Sequence, residues 1–250
     1  MHVKLQIKFV KHVKGGAVTS PILSFNIKVM AQKYQILTND TKTIAHPKTG
    51  LPIKLYRIYS LMKIRISENM VIPEGQIGGF IQSEKNLPNI DTDGSWILHN
   101  AMVFDDAVVK NNSFVMQNAA VWGNSVIDKS AIKEFVRVSG KAIIASSTLT
   151  GNVDVDGSTH VTNSICKNYA KVTGNAIVAD CELVNGAYIG DNSEVLKSKL
   201  YDYSRVYGNS YVIDCILQNG AVIRDKRIAN QTISQDITLN KHYPEIQGQF

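Results

Sequence analysis

The chain has 250 residues, 44% of them hydrophobic and 19% charged, a composition that belongs to folded globular proteins and excludes a largely disordered one. Its apolar runs fall far short of the ~18 residues a membrane-spanning helix needs, so no membrane partner is expected and the expected location is cytoplasmic. The formal net charge of +6 is unevenly placed: residues 1–67 hold twelve Lys and Arg against Asp40 alone, and the remainder holds fifteen bases against twenty acids.

Residues 1–29 read as a basic N-terminal extension, and Met30 offers an alternative start. A leader of this charge suits nucleic acid or another phosphate-rich surface, but a solvated basic β surface explains it as well, and nucleic acid is not the expected partner. Residues 30–94 read as a β-rich N-terminal cap. Within it, Gly78-Gly79 carries none of the phosphate-loop or dinucleotide spacings and reads as a tight turn before Phe80.

From Ser113 onward the chain places a small residue two positions before an aliphatic one: Ser113/Val115, Ala119/Val121, Ser125/Ile127, Ser130/Ile132 and so on to Ala221/Ile223. The steps repeat as six, six and five residues. One turn is the sum of the three steps, and at that period Val115, Ile132, Leu149, Cys166, Leu183, Leu200 and Leu217 form an aliphatic column. Such a column predicts a chain wound into a triangular prism, with three short strands per coil each sending one side chain inward. The residue between the pair points outward by the strand's period of two. Gly140, Gly157, Gly174, Asp191 and Gly208 mark one corner, the residue types a positive φ selects. Ala101/Val103 and Ala107/Val109 carry the pattern upstream, and Ile228 marks its far end. The expected organisation is thus a parallel β-helix over residues 95–228 and a C-terminal tail or cap over 229–250.

The small-x-aliphatic rule resembles that of the hexapeptide-repeat, left-handed β-helix superfamily, although the five-residue step departs from it. LYRIYSLMKI (Leu55–Ile64), IGGFIQSEKNL (Ile77–Leu87) and GSW (Gly94–Trp96), followed by the coils, are similar in order to the YdcK-like proteins of enterobacteria, phage and prophage. That resemblance covers about residues 50–225. It implies a left-handed helix and a homotrimer, in a family sometimes labelled as transferases, and it brings no agreed substrate.

The outward columns separate the functional alternatives. Ala120, Arg137, Asp154, Lys171, Tyr188, Arg205 and Val222 predict a solvated face in which Asp154 pairs with both cations. Val126, Ile143, His160, Ile177, Glu194 and Tyr211 predict an exposed apolar stripe, and Val126, Ile143, His160, Ile177 and Tyr211 are the candidate oligomer interface. A third column, Phe114 to Ile216, is mixed and offers the complementary side of a threefold contact.

His160 is the one histidine between Ser113 and Ile223, His99 lying in the first coil, and hence the candidate general base if the chain is an acyl-CoA-dependent acyltransferase. A lone outward histidine is more often a surface or interface residue. No three histidines are spaced for a catalytic zinc, and Cys166, Cys181 and Cys215 read as buried thiols in a reducing compartment. The favoured reading is a non-catalytic trimeric scaffold that holds a protein partner or small-molecule ligand between subunits, with no cofactor; the alternative is the acyltransferase, using acyl-CoA.

Overall fold

A computed structural model describes residues 31–235, together with the backbone of the strands Val3–Leu5 and Ile27–Val29, which pair antiparallel. The expectations for the rest of the basic extension and for the tail from 236 lie outside the described residues. The described chain is all-β apart from one 3-10 turn, Glu84–Asn86. It is a solenoid of stacked coils, in which each coil contributes a short strand to each of three sheets of eight, nine and eleven strands, parallel throughout the coils.

The register is the one the repeat implies. Val126 pairs with Ile143, Ile143 with His160 and His160 with Ile177 in the eight-stranded sheet. Leu149, Cys166, Leu183 and Leu200 follow one another in the nine-stranded sheet, all fully buried. Each coil presents an unbroken row of N–H and C=O groups to the next, so the backbone is satisfied by stacking and the aliphatic columns form a single core.

The five-residue step has a local cause. At that corner one residue takes a left-handed backbone, as at Lys129, Ser146, Asn163, Asp180, Lys197 and Asp214. The next residue is a serine or cysteine. Its hydroxyl donates to a carbonyl two residues back, as Ser147 does to Ala145 at 2.7 Å, and accepts the N–H of the equivalent residue one coil on, as from Ser164 at 3.0 Å. The column is therefore small for want of room and also hydroxyl-rich, because the hydroxyl ties coil to coil.

The leader is continuous with the solenoid. A long hairpin, Tyr34–Ala45 with Pro52–Ser60, pairs antiparallel with Ile77–Ile81, and that strand runs parallel to Met102–Val103. These are the first three strands of the eleven-stranded sheet. Gly78-Gly79 is not the expected turn but lies inside this strand. A Cβ on Gly79 would come within 2.6 Å of the Ala101 carbonyl oxygen and one on Gly78 within 2.8 Å of that of Ile97, so glycine is required by close approach of the first coil. Asn86 closes the junction by accepting the N–H groups of Gln82 and Ser83 and donating to the carbonyls of Asp105 and Ala107. At the other end the ladder passes Ile228 and continues to Thr232–Ile233, which pairs with Ile216–Leu217.

Candidate functional site

The hairpin does more than start a sheet. Its strands lie against the outside of the first coils, where Leu55 and Phe80 join Phe104 and Trp122 in a second hydrophobic cluster separate from the main core. The Phe104 and Trp122 rings stack with centroids 5.7 Å apart and planes 2° from parallel, and His46 meets Phe104 edge-on at 6.1 Å. His46 Nδ1 accepts the N–H groups of Lys48 and Thr49, which leaves Nε2 to face Asp105 Oδ2 at 3.1 Å. Lys48 then reaches across the tip to Asp156 Oδ1 at 3.2 Å.

Between the tip and the sheet runs a groove of about 470 Å³, floored by Trp122 and Met102 and walled by Pro47, Lys48, Arg137 and Asp154. Asp154 lies 3.6 Å from Arg137 and 3.9 Å from Lys171, the pairing expected from the column. Burial disfavours the charged form of Asp156, but hydrogen bonds from the Ser139 hydroxyl and the Gly157 backbone, together with Lys48, outweigh it and hold the carboxyl below its ordinary pKa. The Ser139 hydroxyl is thereby committed to this carboxylate as a donor. The groove combines an aromatic lining with mutually paired charges.

The predicted site residues fall in one column of the eight-stranded sheet. His160 is exposed between Ile143 and Ile177, and its ring has no hydrogen-bond partner among the described residues. Ile143 and Ile177 are 37% and 42% exposed, while Val126 and Tyr211 at the ends are half-buried. Glu194 separates Ile177 from Tyr211. Within the described chain the neighbours of His160 in the column are thus two isoleucines rather than a polar group. The three thiols are buried and unpaired. Burial pushes Cys166 up to about 12 and Cys181 to about 11, far from thiolate character.

Sequence reasoning missed the groove because the hairpin meets the coils only in space. One signal was present: the outward residues of the first coils, Met102, Phe104, Ala120 and Trp122, are apolar, and the column turns polar at Arg137 and Ser139. That change marks the part of the face the hairpin covers. No protein-family model matches the chain, and no curated protein matches it.

Proposed function

We propose that the chain is a non-catalytic binding scaffold: a left-handed β-helix of triangular cross-section that assembles as a homotrimer and holds a protein partner or small ligand in the grooves between subunits. Three sheets fed in turn by every coil support the triangular section, and the hexapeptide-like pattern supports the hand. Cytoplasmic location suits three free, buried thiols. The resemblance of the leader and first coils supports a phage or prophage origin.

The observation that carries this reading is the apolar column around His160. Burying its exposed aliphatic side chains contributes about 1.5 kcal/mol or more apiece before the cost of association. Because two different faces meet in a head-to-tail contact, threefold rotation closes the ring. Light scattering should give a trimer for the wild type and a monomer for Ile143→Lys combined with Ile177→Lys, with the β circular dichroism retained. An unchanged trimer would move assembly to another face, and a monomeric wild type would overturn it. Acyl transfer from acyl-CoA that drops about 100-fold in His160→Ala would replace the scaffold reading with the acyltransferase.

A further inference from the structure

The core repeats every coil, but one edge of the solenoid repeats every two. At the corner between the nine-stranded and eleven-stranded sheets, equivalent positions in successive coils hold Phe135, Asn152, Tyr169, Gly186, Tyr203 and Gly220. Large aromatics alternate with small residues. Two positions on, the same coils carry Arg137, Lys171 and Arg205, while the coils between carry Asp154, Tyr188 and Val222. Phe135 is 57% exposed, and Tyr169 and Tyr203 are 66% exposed. At two layers of ~4.8 Å, successive aromatics stand ~9.6 Å apart along the edge.

The backbone shows that this is not filler. Two consecutive residues take positive φ at four of these corners: Asn168-Tyr169, Asn185-Gly186, Asp202-Tyr203 and Asn219-Gly220. Asn-Gly is the pair such a turn favours, and tyrosine stands in the glycine slot at every second coil, at φ 69° and 62°. Gly186 in turn makes room for a ring, since a Cβ there would lie 2.5 Å from Tyr203 Cδ1. The outcome is an open trough of about 510 Å³ lined by Tyr169, Tyr188, Tyr203 and Tyr207 with Lys171 and Arg205. Lys171 also lines the groove under the hairpin, so the two run on from one another.

A ligand for this edge must be long and straight, must offer flat apolar faces to the rings, and must present the same face once every ~9.6 Å. Along the edge, Lys133, Arg137, Lys167, Lys171 and Arg205 meet Glu134, Asp154, Asp191 and Asp202, so cations and acids are nearly balanced, and Asp154 already engages two of the cations. A nucleic-acid strand is held by a strong excess of Lys and Arg, which this edge lacks. In a β-1,4-linked pyranose chain each ring is turned over relative to the last, so the same C–H face recurs every second sugar, a distance close to two coils. Its hydroxyls suit the carboxylate, amide and guanidinium groups between the rings. We infer that this edge binds an extended β-1,4-linked polysaccharide, with sugar faces stacked on Phe135, Tyr169 and Tyr203. The site lies within one chain and is independent of trimer formation.

The test is calorimetric titration with cello- and chito-oligosaccharides, from disaccharide to hexasaccharide, and with an oligothymidylate. Affinity should rise by about tenfold for each added disaccharide that reaches another ring. Tyr169→Gly with Tyr203→Gly should weaken hexasaccharide binding about tenfold or more while the melting temperature holds or rises, because glycine relaxes the turn. Binding should survive Ile143→Lys with Ile177→Lys, and its loss there would overturn the single-chain site. Absence of binding to both sugar series, or binding unaffected by the glycine pair, would overturn the inference. Salt-dependent binding of the oligothymidylate alone would assign the edge to nucleic acid instead.

Discussion

Cys166 and Cys181 show how much a position decides. Cys166 stands in the aliphatic column between Leu149 and Leu183, fully buried. Cys181 stands in the hydroxyl column, where its backbone N–H donates to Ser164 Oγ at 3.0 Å and its sulfur lies 3.1 Å from the Ala179 carbonyl oxygen. The same substitution should therefore have opposite signs. Cys166→Ser buries a hydroxyl among aliphatic side chains and is expected to cost about 1–3 kcal/mol. Cys181→Ser restores the residue found at Ser147 and Ser164, offers the Ser198 N–H an oxygen, and is expected to gain about 0.5–1.5 kcal/mol. Urea melts of the two variants check both.

Neighbouring residues in the leader set a pH dependence. Lys33 is 1% exposed, and its ammonium donates to the carbonyls of Asp93 and Ser95 and to Asp93 Oδ1. Burial pushes its pKa from 10.5 down to about 8, against the pull of Asp93. Between those values the unfolded chain binds the extra proton, so the unfolding free energy should rise with pH from about 8, by at most about 1.4 kcal/mol per pH unit. The buried Tyr34 hydroxyl, which donates to the Leu87 carbonyl, has its pKa raised above 10.0 by burial, so its contribution is intact below pH 10 and is lost as the pH climbs further. Stability contributed by this pair should peak near pH 10, and the rise from pH 8 should vanish in Lys33→Met. Urea unfolding at a series of pH values would reveal it.

At the scale of the strand, the six, six, five spacing made the inward columns legible from the sequence, because each inward residue meets its like one coil away. Leu183→Asp tests that register: an unpaired carboxylate would enter the column between Cys166 and Leu200, which should destabilise the protein by more than about 4 kcal/mol, with Glu182→Asp on the outward face as control. A wild-type melting curve for Leu183→Asp would mean that the column is misassigned. Other elements were not legible. Gly78-Gly79 looks like a turn because glycine pairs commonly make one, and only the approach of the Ile97 and Ala101 carbonyls shows a strand. The hairpin groove depends on Lys48 and Asp156 meeting, a contact no local spacing announces. The serine column was legible as small; its role as acceptor between coils needed the hydrogen bonds themselves.

For the whole molecule, stability is a sum of neighbour contacts, so each end must be dealt with separately. At the N-terminal end the eleven-stranded sheet is closed by the antiparallel hairpin, which also covers Phe104 and Trp122. The difference in period between core and edge bears on how such a chain can change length. A single added residue shifts every later side chain to the opposite face unless a corner absorbs it. Adding one whole coil restores the core but sets two aromatic coils, or two small ones, side by side at the edge. Only a pair of coils returns both core and edge to phase, so lineages of this molecule under selection for the edge should differ in length by pairs of coils, and those under selection for the core alone by single ones.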